Sequence, residues 1–153
     1  MKKIFSLLII MLLCLTGCGR EVKVEGTLEE LMAKVYEGIA QENLPMGLTN
    51  MEVNEETIEG FLGTKDIEYT EAIASESMVG SIAHSVVLLR AKDTKNIETL
   101  KNTIKENVNP RKWICVGVEK EDVIIKNKGD LIIVIIVENA DTRAQLEKGF
   151  DEL

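Results

Sequence analysis

The stretch whose residue types and spacing specify a chemistry is Leu15-Thr16-Gly17-Cys18, close to the amino terminus. It follows two lysines and the apolar run Ile4–Leu15, which is shorter than the roughly 20 residues that a membrane-spanning helix needs. A basic start, a short apolar segment and small residues before a cysteine are typical of an export signal. The two small residues let an extended backbone enter a peptidase and leave the cysteine thiol accessible. We therefore interpret residues 1–17 as a signal peptide that is cleaved before Cys18.

This pattern resembles the lipobox of bacterial lipoproteins. The resemblance implies that Cys18 carries a diacylglyceryl thioether, and that the mature chain is held on the extracytoplasmic face of the cell membrane. Each buried CH₂ of an acyl chain contributes about 0.8 kcal/mol, so two chains anchor a protein much better than one. Residues 18–26 then form a lipidated tether, whose eight residues after the cysteine span at most about 29 Å. The alternative is an uncleaved signal anchor in which Cys18 has no special role.

The acidic composition narrows the classes of partner. The formal net charge is -8, and removal of Lys2 and Lys3 with the signal peptide lowers it to -10. An acidic domain attracts neither the phosphates of nucleic acid nor anionic lipid headgroups, so we expect no nucleic-acid partner. Carboxylate pairs such as Glu55-Glu56 lack the spacing of a calcium-binding EF-hand, and we interpret them as solvated turns or helix ends.

Cysteine and histidine usage exclude several kinds of site. Cys14 is lost with the signal peptide and Cys18 is lipidated, so Cys115 has no cysteine with which to form a disulfide. His84 is the only histidine, which excludes a metal site built from several histidines. His84 and Cys115 could form a nucleophilic pair, but both fall in segments with buried patterns, and we interpret them as core residues. The sequence lacks the common nucleotide-binding, hydrolase and zinc-protease motifs. We therefore predict no catalytic residue, metal or cofactor, and a protein that is not an enzyme.

The segment 109–120 is the candidate recognition site. It places the basic pair Arg111 and Lys112 beside Trp113, the only tryptophan, in an otherwise acidic chain. One interpretation is an edge that recognises an anionic or polymeric ligand. The other is that Trp113 plugs the end of a sheet while the basic pair is solvated. We keep both interpretations open.

Periodic patterns predict the elements that position these residues. Thr27 and Glu30 match a capping box at the start of a helix over about 28–42. Asp93 or Thr94 begins a second long helix that ends near Asn107, and Asn139 or Asp141 begins a third. Strands are expected over about 66–74 and 82–91, with a turn over 75–81 between them, and over 122–126 and 131–137 in a hairpin. Residues 46–65 are the least specified, with one helical turn expected over 57–62. These elements predict a two-layer α+β domain over 27–153, with an antiparallel sheet of about four strands and helices packed on it.

Three segments resemble an uncharacterised lipoprotein family of low-GC Gram-positive bacteria, defined by a domain of unknown function. They are residues 81–93, residues 109–116, and Gly129-Asp130 before the apolar strand. These motifs are typical of packing and transfer no catalytic site. The family occurs in the company of membrane O-acyltransferase systems, which implies an accessory role in the acylation of an envelope polymer.

Together these patterns favour a lipid-anchored envelope protein that binds or scaffolds an envelope protein partner without catalysis. Two alternatives are a small-ligand-binding lipoprotein and an accessory factor of an envelope O-acylation system. The chain is too short to form the two lobes with which the receptors of transporters enclose a ligand. We therefore expect any small ligand to lie at one edge of the sheet.

Overall fold

The computed structural model describes residues 23–153. The predicted signal peptide and Cys18 lie outside the described residues. Antiparallel strands form one sheet with the order β1-β2-β3-β5-β4. In chain order, the helices and strands are α1 (Leu28–Val35), β1 (Leu48–Glu52), α2 (Ile58–Leu62), β2 (Tyr69–Ser77), β3 (His84–Ala91), α3 (Ile97–Asn107), β4 (Ile124–Lys128), β5 (Leu131–Val137) and α4 (Ala140–Asp151).

Both faces of the sheet are covered by helices. Because successive side chains of a strand point to opposite faces, the wholly apolar β5 contributes Ile133 to one core and Val134 to the other. The core on one face includes residues of α1 and α4, and the core on the other includes residues of α2 and α3. The α+β class and the antiparallel sheet are therefore confirmed. The sheet has five strands where about four were expected, and its helices lie on both faces, which gives three layers where two were expected.

Strand β1 is the strand that the sequence patterns did not predict. Strand β1 is short, lies at the edge of the sheet and contains no fully buried residue, so its sequence LTNME shows no apolar alternation. Its pairing partner β2 extends to Ser77, which corrects the turn expected over 75–81. The predicted hairpin is confirmed, with Gly129 in the turn at φ +57°.

Two of the three predicted helix starts are confirmed by their caps. At the third, Asp93 caps the 3-10 turn Thr94–Asn96, and the α-helix itself begins at Ile97. The Thr27 hydroxyl accepts a hydrogen bond from the Glu30 N–H at 3.2 Å, and the Glu30 carboxylate accepts one from the Thr27 N–H at 3.0 Å. The side chain of Asn139 caps α4 by accepting from the Thr142 N–H at 2.9 Å. Helix α1 ends at Val35 and not near residue 42, because Gly38 adopts a positive φ of +86° that a helix cannot continue through.

The amino-terminal residues are bonded to one end of the sheet. The Val24 N–H donates to Asp130 Oδ1 at 3.0 Å, and the Arg90 guanidinium donates to the Gly26 carbonyl at 2.7 Å. Arg90 also pairs with Asp130 at 3.0 Å. We call this end of the sheet the attachment end. The expected tether over 18–26 is therefore corrected, since its last residues belong to the folded domain.

Candidate functional site

The predicted recognition residue Lys112 is engaged within the domain. Its Nζ lies 2.6 Å from the Glu76 carboxylate and 3.4 Å from the Ser85 hydroxyl. The same ammonium lies 4.9 Å from the ring centroid of Phe61 and 5.2 Å from that of Trp113, which are cation–π distances. The Lys112 side chain is only 17% exposed. These contacts fix the loop on the sheet and leave little of the lysine available to a ligand.

The neighbouring residues also make contacts inside the domain. Arg111 forms an ion pair with Glu119 in the same loop. Trp113 is half-buried and packs against the core on the α2–α3 face. This placement supports the interpretation of Trp113 as a plug. Recognition of an anionic ligand by these residues stays a prediction.

Cys115 and His84 have different environments. Cys115 is exposed and has a left-handed backbone at φ +63°, which corrects its expected place in the core. His84 is 2% exposed, and its Nε2 shares a 2.8 Å hydrogen bond with the Tyr36 hydroxyl. The interpretation of His84 as a satisfied core histidine is confirmed. The structure does not bring the two side chains together, because Cys115 lies in the loop that packs on the α2–α3 face and His84 contacts Tyr36 on the α1 side.

Burial controls the titration of the His84–Tyr36 pair. It lowers the pKa of His84 to about 4, because the charged imidazolium loses its hydration. Burial also raises the pKa of the Tyr36 hydroxyl far above its ordinary value, although the nearby Ser75 side chain lowers it. The Ser75 side chain falls short of a full hydrogen bond to any group in the described part of the chain. Both rings are therefore neutral near pH 7, as structural groups of the core are.

Three loops place exposed apolar side chains at the end of the sheet opposite to the attachment end. Met46, Met78 and Ile114 are 75%, 66% and 71% exposed. The loops are joined by hydrogen bonds from the Met78 N–H to the Gly47 carbonyl at 3.0 Å and from the Ile114 N–H to the Gly80 carbonyl at 2.8 Å. We call these three side chains the loop surface. Sequence reasoning missed it, because the residues are isolated in three separate loops and share no periodicity.

A cleft of about 850 Å³ lies at the β1 edge of the sheet, near the attachment end. It forms because β1 ends at Glu52, opposite Ile73, while β2 begins at Tyr69. The Val53 N–H donates to the Ala72 carbonyl at 3.0 Å just beyond the end of β1. The start of β2 thus has β3 on one side and an open cleft on the other. We call this cleft the edge notch.

Carboxylates surround the edge notch. Glu71 pairs with Arg90 at 2.6 Å, and Glu68 pairs with Lys92 at 3.7 Å. Four further carboxylates of the lining have no ion pair among residues 23–153. They belong to Glu29, Glu52, Glu55 and Glu56. The notch therefore has an excess of negative charge.

The described part of the chain contains no group of side chains that could hold a metal ion. Within the same residues, no helix is long and apolar enough to cross a membrane. Comparisons with protein-family models, with curated proteins and with solved structures find no match to this chain. The resemblance to a lipoprotein family stays a prediction.

Proposed function

We propose that this chain is a lipid-anchored extracytoplasmic protein that binds an envelope protein partner through the loop surface, without catalysing a reaction. The observation that carries the proposal is the position of the loop surface relative to the amino-terminal attachment. Val24 is bonded to Asp130 at one end of the sheet, while Met46, Met78 and Ile114 are exposed at the other.

The distances favour a protein over the bilayer as the partner. If Cys18 is lipidated, the five residues 19–23 span at most about 18 Å, so the attachment end stays close to the membrane. Strand β3 rises about 3.3 Å per residue over His84–Ala91, which places the loop surface about 25 Å beyond that end. With Cys18 lipidated, the loop surface would therefore lie at the end of the domain farther from the bilayer, where it can contact a protein of the envelope.

The side chains of the loop surface suit a protein contact. Exposed apolar groups that lie together mark interaction sites more often than isolated ones do. Methionine is flexible and polarisable, so Met46 and Met78 can adapt to the shape of a partner. Full burial of each apolar side chain contributes about 1.5–3 kcal/mol, which is the scale of a binding hot spot.

Replacement of Cys18 tests the anchor. We expect Cys18→Ala to abolish incorporation of an alkyne-labelled fatty acid, because the alanine has no thiol to form the thioether with the labelled diacylglyceryl group. Metabolic labelling followed by gel fluorescence measures this directly. Cys115→Ala is the matched control and should retain the full label. Label that persists in Cys18→Ala would contradict lipidation at this residue.

Photo-crosslinking in intact cells tests the loop surface. A photoreactive residue at position 114 should yield one defined crosslinked envelope protein. The double variant Met46→Asp, Met78→Asp should reduce that product at least tenfold, because two carboxylates cannot enter an apolar contact without losing hydration.

The control variant is Lys148→Asp, since the Lys148 side chain on α4 is 75% exposed and far from the loops. It should leave the crosslinked product unchanged, and a photoreactive residue at position 148 should not give it. Equal loss in the double variant and in Lys148→Asp, or no consistent protein product from position 114, would refute the proposed partner surface.

A further inference from the structure

We propose that the edge notch binds an extended, lysine- or arginine-rich segment of another polypeptide, which lies beside the start of β2 as an added strand. This site is separate from the loop surface, because Glu52 and Tyr69 belong to the attachment end of the sheet. The inference therefore adds a second binding surface to the proposed function.

The open backbone of β2 is the first argument. Tyr69 and Glu71 pair with β3 on one side, and β1 has already ended on the other. The backbone of an unpaired sheet edge is a template for another extended chain. The register of β2 is irregular between Tyr69 and Glu71, and such bulges are common beside binding sites.

The lining of the notch provides room and an apolar base. Its volume of about 850 Å³ lies within the range of about 300–1,000 Å³ that is usual for binding sites. Val53, Ile58 and Ala72 line it and are buried, while Ile67 and Tyr69 are partly exposed. An extended segment would therefore place some side chains against apolar groups and others among the carboxylates.

The negative charge of the notch lining favours a basic occupant. The unpaired carboxylates of Glu29, Glu52, Glu55 and Glu56 would repel an acidic segment and attract basic side chains. The pKa of Tyr69 is raised by partial burial and then by the negative charge of Glu55, which indicates a negative potential at the cleft. Without an occupant, the same charges would only keep the edge from pairing with other chains.

Peptide binding to the full-length chain in detergent micelles tests the inference. The probe is a fluorescent eight-residue peptide of alternating lysine and valine, and the comparison peptide alternates glutamate and valine. At low salt we expect saturable binding of the lysine peptide, at least tenfold weaker binding of the glutamate peptide, and new hydrogen-exchange protection of those amides of residues 69–71 that do not already bond to β3.

Two further changes separate charge from strand pairing. The triple variant Glu52→Gln, Glu55→Gln, Glu56→Gln should weaken binding at least tenfold. The matched control is the triple variant Glu37→Gln, Glu106→Gln, Glu121→Gln, whose glutamates are exposed and lie outside the notch, and it should bind as the original chain does. A lysine peptide with alternate backbone nitrogens methylated keeps its charge but loses hydrogen-bond donors, and should also bind at least tenfold more weakly.

Each outcome decides one part of the inference. Equal binding of the methylated peptide would overturn the added strand, and equal binding of the glutamate peptide or of the notch variant would overturn charge selection. If no saturable binding is measured up to about 1 mM, which is the scale of weak recognition, the whole inference is wrong. The carboxylates would then only protect the edge from pairing with other chains. None of these results bears on the loop surface, which is tested by the crosslinks from position 114.

Discussion

Gly149→Ala is expected to destabilise the domain by about 2–3 kcal/mol. A Cβ at this position of α4 would lie 2.3 Å from the Val35 carbonyl oxygen and 3.1 Å from the Val35 Cα. Backbone atoms cannot rotate aside as a flexible side chain can, so α1 and α4 would have to separate. The gain in helix propensity from glycine to alanine, about 1 kcal/mol, offsets only part of this cost.

Gly60→Ala is the matched control for this experiment. Gly60 also lies in a helix, α2, but a Cβ there would meet nothing within 4 Å. We expect Gly60→Ala to stabilise the domain by about 0.5–1 kcal/mol through the lower entropy of the unfolded chain. Urea unfolding at equilibrium measures both variants. If Gly149→Ala were as stable as the original chain, α1 and α4 would not approach as closely as described.

The two glycines show where sequence reasoning ends. In the sequence, Gly60 and Gly149 are both glycines inside helical segments, and both would be expected to weaken a helix. Only the crossing of α1 and α4 distinguishes them, and a crossing depends on residues more than a hundred positions apart in the chain. Local signals carry no information about such a contact.

The correct predictions rest on short-range chemistry. The capping box at Thr27, the side-chain cap at Asn139 and the turn at Gly129 act within a few residues, so the sequence alone specifies them. The apolar run of β5 likewise indicated burial on both faces. The edge strand β1 was missed, because an edge strand with partly exposed faces needs no regular apolar pattern.

The candidate site was less predictable than the fold. Lys112 looked available to a ligand, yet tertiary contacts with Glu76 and Phe61 hold it on the sheet. Cys115 sits in a mostly apolar segment, yet that segment is a loop with a left-handed residue and leaves the thiol exposed. No sequence pattern predicted the cleft of the edge notch, although the Glu55-Glu56 pair in its lining was interpreted as solvated. Its shape follows from the different lengths of β1 and β2, which periodicity does not fix.

A final prediction concerns pH. We expect acid to destabilise the domain through His84, whose pKa is about 4 in the folded domain and 6.5 for an ordinary histidine. Between these values the unfolded chain binds a proton that the folded domain does not, so the free energy of unfolding falls as the pH falls. The loss begins near pH 6.5 and is complete near pH 4. Over that window it amounts to about 3 kcal/mol.

Carboxylates also titrate toward pH 4, so the histidine contribution needs a reference variant. His84→Gln retains a polar side chain near the Tyr36 hydroxyl but removes the titrating ring. Urea unfolding at pH 7.5 and pH 5 should show that the original chain loses about 2 kcal/mol more stability than His84→Gln does over this interval. Equal losses would mean that His84 takes up its proton in the folded domain as readily as in the unfolded chain. The 2.8 Å bond to Tyr36 would then offset the cost of burying the charge, because a hydroxyl can accept a hydrogen bond from an imidazolium.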